Sequence, residues 1–127
     1  MTPSLHEATT NDALDPRSLD QLRALDPTRS TGFLQRVLQT YLQALERQTG
    51  QMTEAAQRQD AGGVGAAAHS LKSASASIGA KSMAAECAAL ERLAQAGWSP
   101  ALALALPDIG RAAAQARTAV QRELASV

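Results

Sequence analysis

The stretch Val64-Gly65-Ala66-Ala67-Ala68-His69-Ser70-Leu71-Lys72-Ser73-Ala74-Ser75-Ala76-Ser77-Ile78-Gly79-Ala80 decides the fold. At about 100° per residue, Val64, Ala67, Leu71, Ala74 and Ile78 gather on one side of a helix, and His69 stands on the other. An imidazole opposite the apolar stripe faces water. Its neighbours on the outer face are Gly62, Gly65, Ala66, Ser70, Lys72, Ser73, Ala76 and Ser77, all small except the lysine. A smooth helical face of this kind lets another folded domain bring its reactive groups close to the ring. Imidazole is a nucleophile near neutral pH, and Lys72, one turn on, can steady a negative group placed on it.

Working outward, apolar residues recur at spacings of three and four along most of the chain, and the fold class is all-α. A first short helix is expected over Ser18 to about Leu25, with Leu19, Leu22 and Leu25 inward and Asp26-Pro27 ending it. The second and longest spans about Ser30 to Arg58, its buried stripe formed by Leu34, Val37, Leu38, Tyr41, Leu45, Met52 and Ala55. Asp60 caps the third. Gly62, Gly63 and Gly65 in its first turns mark either a late helix start or a place where bulk is not tolerated. Gly79 suits a left-handed turn, after which a fourth helix runs from Lys81 or Ser82 to about Ala96, with Met83, Cys87, Leu90 and Ala94 toward the core.

Ser99-Pro100 reads as a capped start of a last helix, which Pro107 either splits or kinks. Its stripe continues through Ile109, Ala112, Ala113, Ala116, Val120 and Leu124. The architecture expected is an antiparallel up-down four-helix bundle with an additional short N-terminal helix. Residues 1–16, polar and carrying Pro3 and Pro16, are expected to be a disordered arm with an incidental His6, and 17–127 a single domain. Trp98 should cap one end of the bundle.

Composition narrows the function. The 127 residues carry no net formal charge and only 2% aromatics, which argues against nucleic acid and anionic membrane as partners. Cys87 is the only cysteine, so no internal disulfide forms; it falls on the buried stripe and is read as packing. No apolar run reaches the length of a membrane span, and no secretory leader is apparent at the N-terminus; the expected location is the cytoplasm. The partner expected is another protein, and the chain itself a monomer.

Glu91 joins the candidate site by counting. With the hairpin turning at Gly79, a residue ten to twelve positions past the turn lies at the height of His69, and Glu91 sits there beside the core stripe. A carboxylate at that place can hold Nδ1 and leave Nε2 to attack, as an orienting acid does for a catalytic histidine.

The run His69, Leu71, Lys72, Ala76, Gly79, Ala80, followed by Met83, Cys87, Leu90 and Glu91, resembles the histidine-containing phosphotransfer (HPt) domains of two-component phosphorelays. The spacing needs no insertion. Ser73 stands where that family usually has Gly, and Ser77 where Asn is frequent; both are small. The resemblance implies that His69 accepts a phosphoryl group from a phospho-aspartate on a receiver domain and passes it to another receiver. It also implies that Lys72 offsets phosphoryl charge and that Glu91 orients the ring. The expected docking face is Ala66, Ser70, Ser73, Ala76 and Ser77, with Arg17, Arg23, Arg29 and Arg36 near it.

The partners implied are the receiver domains of hybrid histidine kinases and of response regulators. No cofactor of its own is expected, with Mg²⁺ belonging to the receiver. The chain has no Gly-rich nucleotide loop, so it is read as a carrier and not a kinase. A rival reading is a helical adaptor, a pseudo-HPt, whose His69 never carries phosphate and which binds or inhibits a kinase. A general-base enzyme is a third, disfavoured by a flat face without a second polar cluster.

Overall fold

A computed structural model of the chain describes residues 13–126. Five helices are present among them: α1 (Pro16–Ala24), α2 (Phe33–Gln57), α3 (Ala61–Ser77), α4 (Lys81–Gln95) and α5 (Pro100–Ser126). Each of the last four packs on the next, and α5 closes back on α2. Links of three or four residues force neighbours antiparallel, giving the up-down four-helix bundle, with α1 laid against α2. None of these helices is long and apolar enough to cross a membrane.

The helix ends follow local chemistry. Asp60 receives the Gly63 N–H at 3.0 Å and starts α3, and Ser99 Oγ receives the Leu102 N–H at 3.1 Å and starts α5. Gly79 turns at φ +80°. The start of α2 lies three residues later than the pattern suggests, because Gly32 takes φ +63° and the Asp26 carboxylate captures the N–H groups of Thr31 and Phe33. Leu25, expected inward, is exposed: α1 ends at Ala24, and position 25 has rotated off the stripe that Leu19 and Leu22 hold.

Packed structure begins ahead of the expected boundary at 17. Ala13 and Leu14 are buried, the Asp15 N–H donates to the Gly79 carbonyl at 2.8 Å, and Lys81 pairs with the Asp15 carboxylate at 2.9 Å. Residues 13–16 therefore belong to the domain and strap the α3–α4 turn. The remainder of the expected arm, with His6, lies outside the described residues.

The structure bears on two open readings. The glycines of α3 lie inside the helix, and two of them mark close packing: a Cβ at Gly63 would meet the Ala55 methyl at 2.9 Å and one at Gly65 the Ala94 methyl at 3.1 Å, whereas Gly62 is exposed and a Cβ there would meet only the Asp60 carboxylate, at 3.5 Å. Helical structure runs unbroken through Pro107 in α5. Pro107 and Ala103 are both exposed, so water can reach the carbonyl that proline leaves without its donor.

The core holds the predicted stripes and one buried polar pair. Ser75 is fully buried and shares a 2.9 Å hydrogen bond with the Tyr41 hydroxyl across α2 and α3; burial pushes the tyrosine up to about 12. Tyr41→Phe leaves the Ser75 hydroxyl to its own helix carbonyls and should cost about 1 kcal/mol. A lower urea midpoint with unchanged m value would register it. Cys87 is likewise buried, its thiol also pushed up to about 12 by desolvation, which makes it inert packing. Trp98 is partly buried against the end of the core, as expected of a cap.

Candidate functional site: His69 and the face of α3

The α3–α4 hairpin sets the site. Its two helices approach at Gly65 and Ala94, and their antiparallel register about Gly79 brings position 91 to the height of position 69. His69 Nδ1 lies 2.9 Å from Glu91 Oε2, and Lys72 Nζ donates to Glu91 Oε1 at 2.7 Å. One carboxylate thus spans two side chains of the neighbouring helix.

Protonation follows from the partners. Lys72 first, and His69 after it, hold the Glu91 carboxyl below the usual carboxylate range, so it is an anion through neutral pH. A carboxylate can only accept, and Nδ1 must carry the hydrogen of that bond. In the neutral ring, Nε2 then keeps its lone pair. Nε2 makes no hydrogen bond among the described residues, and the His69 side chain is 62% exposed. The arrangement presents one unencumbered nucleophilic nitrogen to solvent. Glu91, by contrast, is only 20% exposed, wedged beside the helix it serves.

All five residues expected to form the docking face, Ala66, Ser70, Ser73, Ala76 and Ser77, are exposed on α3 with His69 among them. The surface in front of the ring is an open depression of about 590 Å³, bordered by Gly62, Gly65, Ala66 and Ser70. Beyond Ser77 the face runs into a groove against α2, lined by Phe33, Arg36, Val37 and Thr40, which sequence patterning on α3 alone did not indicate. Of the arginines placed nearby, Arg36 does border this groove, whereas Arg23 is occupied by Asp20 and Glu123.

Lys72 has a partner that its spacing did not indicate. Its ammonium is engaged on Glu91, the carboxylate that also meets His69 Nδ1. Spacing placed it on the right helix face but could not say which anion a long flexible side chain would meet. No group of three His, Cys, Asp or Glu among the described residues is arranged to hold a metal ion.

Comparison with known proteins agrees with this architecture. No curated protein sequence matches the chain. Histidine-containing phosphotransfer protein B of Pseudomonas aeruginosa PAO1 superposes with a TM-score of 0.81 at 25% identity, over 91% of this chain and 96% of that one. A rice protein provisionally described as a histidine-containing phosphotransfer protein shares the fold at 21% identity, with a TM-score of 0.78 over 94% of this chain and 85% of its own. The model of the Hpt domain matches residues 36–126, which take in α3, α4, α5 and most of α2. That match spans well over half of the sequence and includes every residue of the His69 site, so the chain belongs to the Hpt domain family.

Proposed function

We propose that the chain is a phosphorelay intermediate in which His69 is the phosphoacceptor. The observation that carries the reading is an exposed imidazole with Nδ1 tied to a carboxylate of the neighbouring helix and Nε2 free, on a face of small residues. Nε2 attacks the phosphorus of a receiver's aspartyl phosphate; the N–P bond forms as the P–O bond breaks, and the aspartate carboxylate leaves. The ring becomes a phosphorylated imidazolium whose Nδ1–H remains on Glu91. Transfer to a second receiver reverses these bond changes. Lys72 offsets charge on the phosphoryl oxygens.

The Mg²⁺ such a transfer uses is assigned to the receiver, along with most of the transition-state stabilisation. Family membership supports a carrier over a kinase. The partners proposed are receiver domains of hybrid kinases and response regulators, met by a monomer in the cytoplasm. A non-phosphorylated adaptor is not favoured: it would have no use for an oriented ring with a free nucleophilic nitrogen. The test is incubation with phosphorylated receiver domains. Acid-labile, alkali-stable label on the wild-type chain is expected, and a chain that stays unlabelled across a panel of receivers would fit the adaptor instead.

Lys72→Ala should slow transfer and shorten the life of the phosphohistidine. Because the lysine is a partly exposed surface residue, thermal stability should change by only about 0.5 kcal/mol. Decay of labelled protein after removal of the receiver, read beside a melting curve, separates the two effects.

A further inference from the structure

We propose that Lys72 is a positioning residue for His69, acting through Glu91: in the resting protein its ammonium fixes the carboxylate that fixes the ring. The inference rests on His69 being the phosphoacceptor, and it adds a role that precedes any phosphoryl group. The two contacts use different oxygens, Oε1 for Lys72 at 2.7 Å and Oε2 for His69 at 2.9 Å. A glutamate at the end of three rotatable bonds would otherwise share its time among rotamers, and an imidazole facing an unfixed carboxylate can exchange tautomers. With Oε1 held, Oε2 is presented to Nδ1 in one geometry.

His69 and Lys72 stand three residues apart on one helix, so a single rigid backbone sets the spacing that the carboxylate of α4 must bridge. The pair is also sheltered. Lys72 is 35% and Glu91 20% exposed, less open to water than an ordinary surface ion pair, and Arg92 and Glu86 on α4 make no ion pair with either. Lys72, Glu91 and His69 therefore form a chain of three, in which the last member carries the chemistry and the first secures the second. Residues that act as one unit lose function together, not independently.

The experiment uses the full chain without phosphate. Nitrogen NMR of His69 should show the Nδ1–H tautomer dominant in the wild type. Lys72→Met, which keeps the aliphatic stem but removes the charge, should shift the ring toward the Nε2–H form, and Lys72→Arg should restore the wild-type ratio. An unchanged tautomer ratio in Lys72→Met overturns the proposal. This readout involves no phosphoryl transfer, so it stands or falls separately from the phosphoacceptor assignment. Transfer rates supply the second measurement: Glu91→Ala alone should slow acceptance on the order of tenfold, yet add less than about twofold to Lys72→Met. Losses that multiply in the double variant would mean that the lysine acts without Glu91, and the proposal would fail.

Discussion

His69→Gln should abolish phosphoryl acceptance while leaving the bundle intact. The side chain is mostly in water and packs in no core stripe, so its loss removes little burial. Gln is at least as good a helix former as His, and Glu91 keeps its Lys72 partner, so no charge is stranded. Stability should stay within about 0.5 kcal/mol of wild type, the ordinary range for a surface change. Chemistry has no such tolerance. An amide nitrogen has its lone pair delocalised into the carbonyl and does not displace a carboxylate from phosphorus, so the expected label is none. Normal labelling of a well-folded His69→Gln chain from phospho-receiver would end the relay reading.

How much of this was legible beforehand differs by residue. His69 and its small neighbours could be read because helical periodicity fixes which side of α3 each occupies. Glu91 could be found because a tight hairpin at Gly79 makes height along one helix a function of distance from the turn. Both rest on backbone geometry, which sequence encodes well. Lys72 and Ser75 depended on something else. The ammonium of a lysine can reach several places from one backbone position, and only the placement of α4 decides that it meets Glu91.

Ser75 counts as polar in any periodic pattern, yet it is fully buried because a tyrosine 34 residues away supplies its hydrogen-bond partner. The strap at Ala13–Asp15 was invisible for the same reason. It is irregular chain held by the Gly79 carbonyl and by Lys81, contacts that exist only once the α3–α4 turn is formed.

Enlarging the smooth face should block docking without touching the chemistry, and Ser73 is the place to do it. It lies about 40° around the helix from His69 and about 6 Å along it. It is exposed, and its side chain enters no core contact. Ser73→Arg places a long side chain where a receiver must seat its own active site around the phosphorus. The expected result is weaker receiver binding and much slower transfer from phospho-receiver, with unchanged helicity by circular dichroism. A small phosphoramidate donor needs no such contact area and should label His69 in the variant at nearly the wild-type rate. Because the guanidinium also adds charge near the ring, Ser73→Gln is the control: a long neutral side chain should impair docking too, if bulk is the cause. A face of Ala66, Ser70, Ala76 and Ser77 presses on a partner only where backbone can come close, and a single long side chain at its centre holds that backbone away. If Ser73→Arg and Ser73→Gln both exchange phosphoryl groups with a receiver as the wild type does, the receiver approaches His69 from another side, and α3 is not the docking surface.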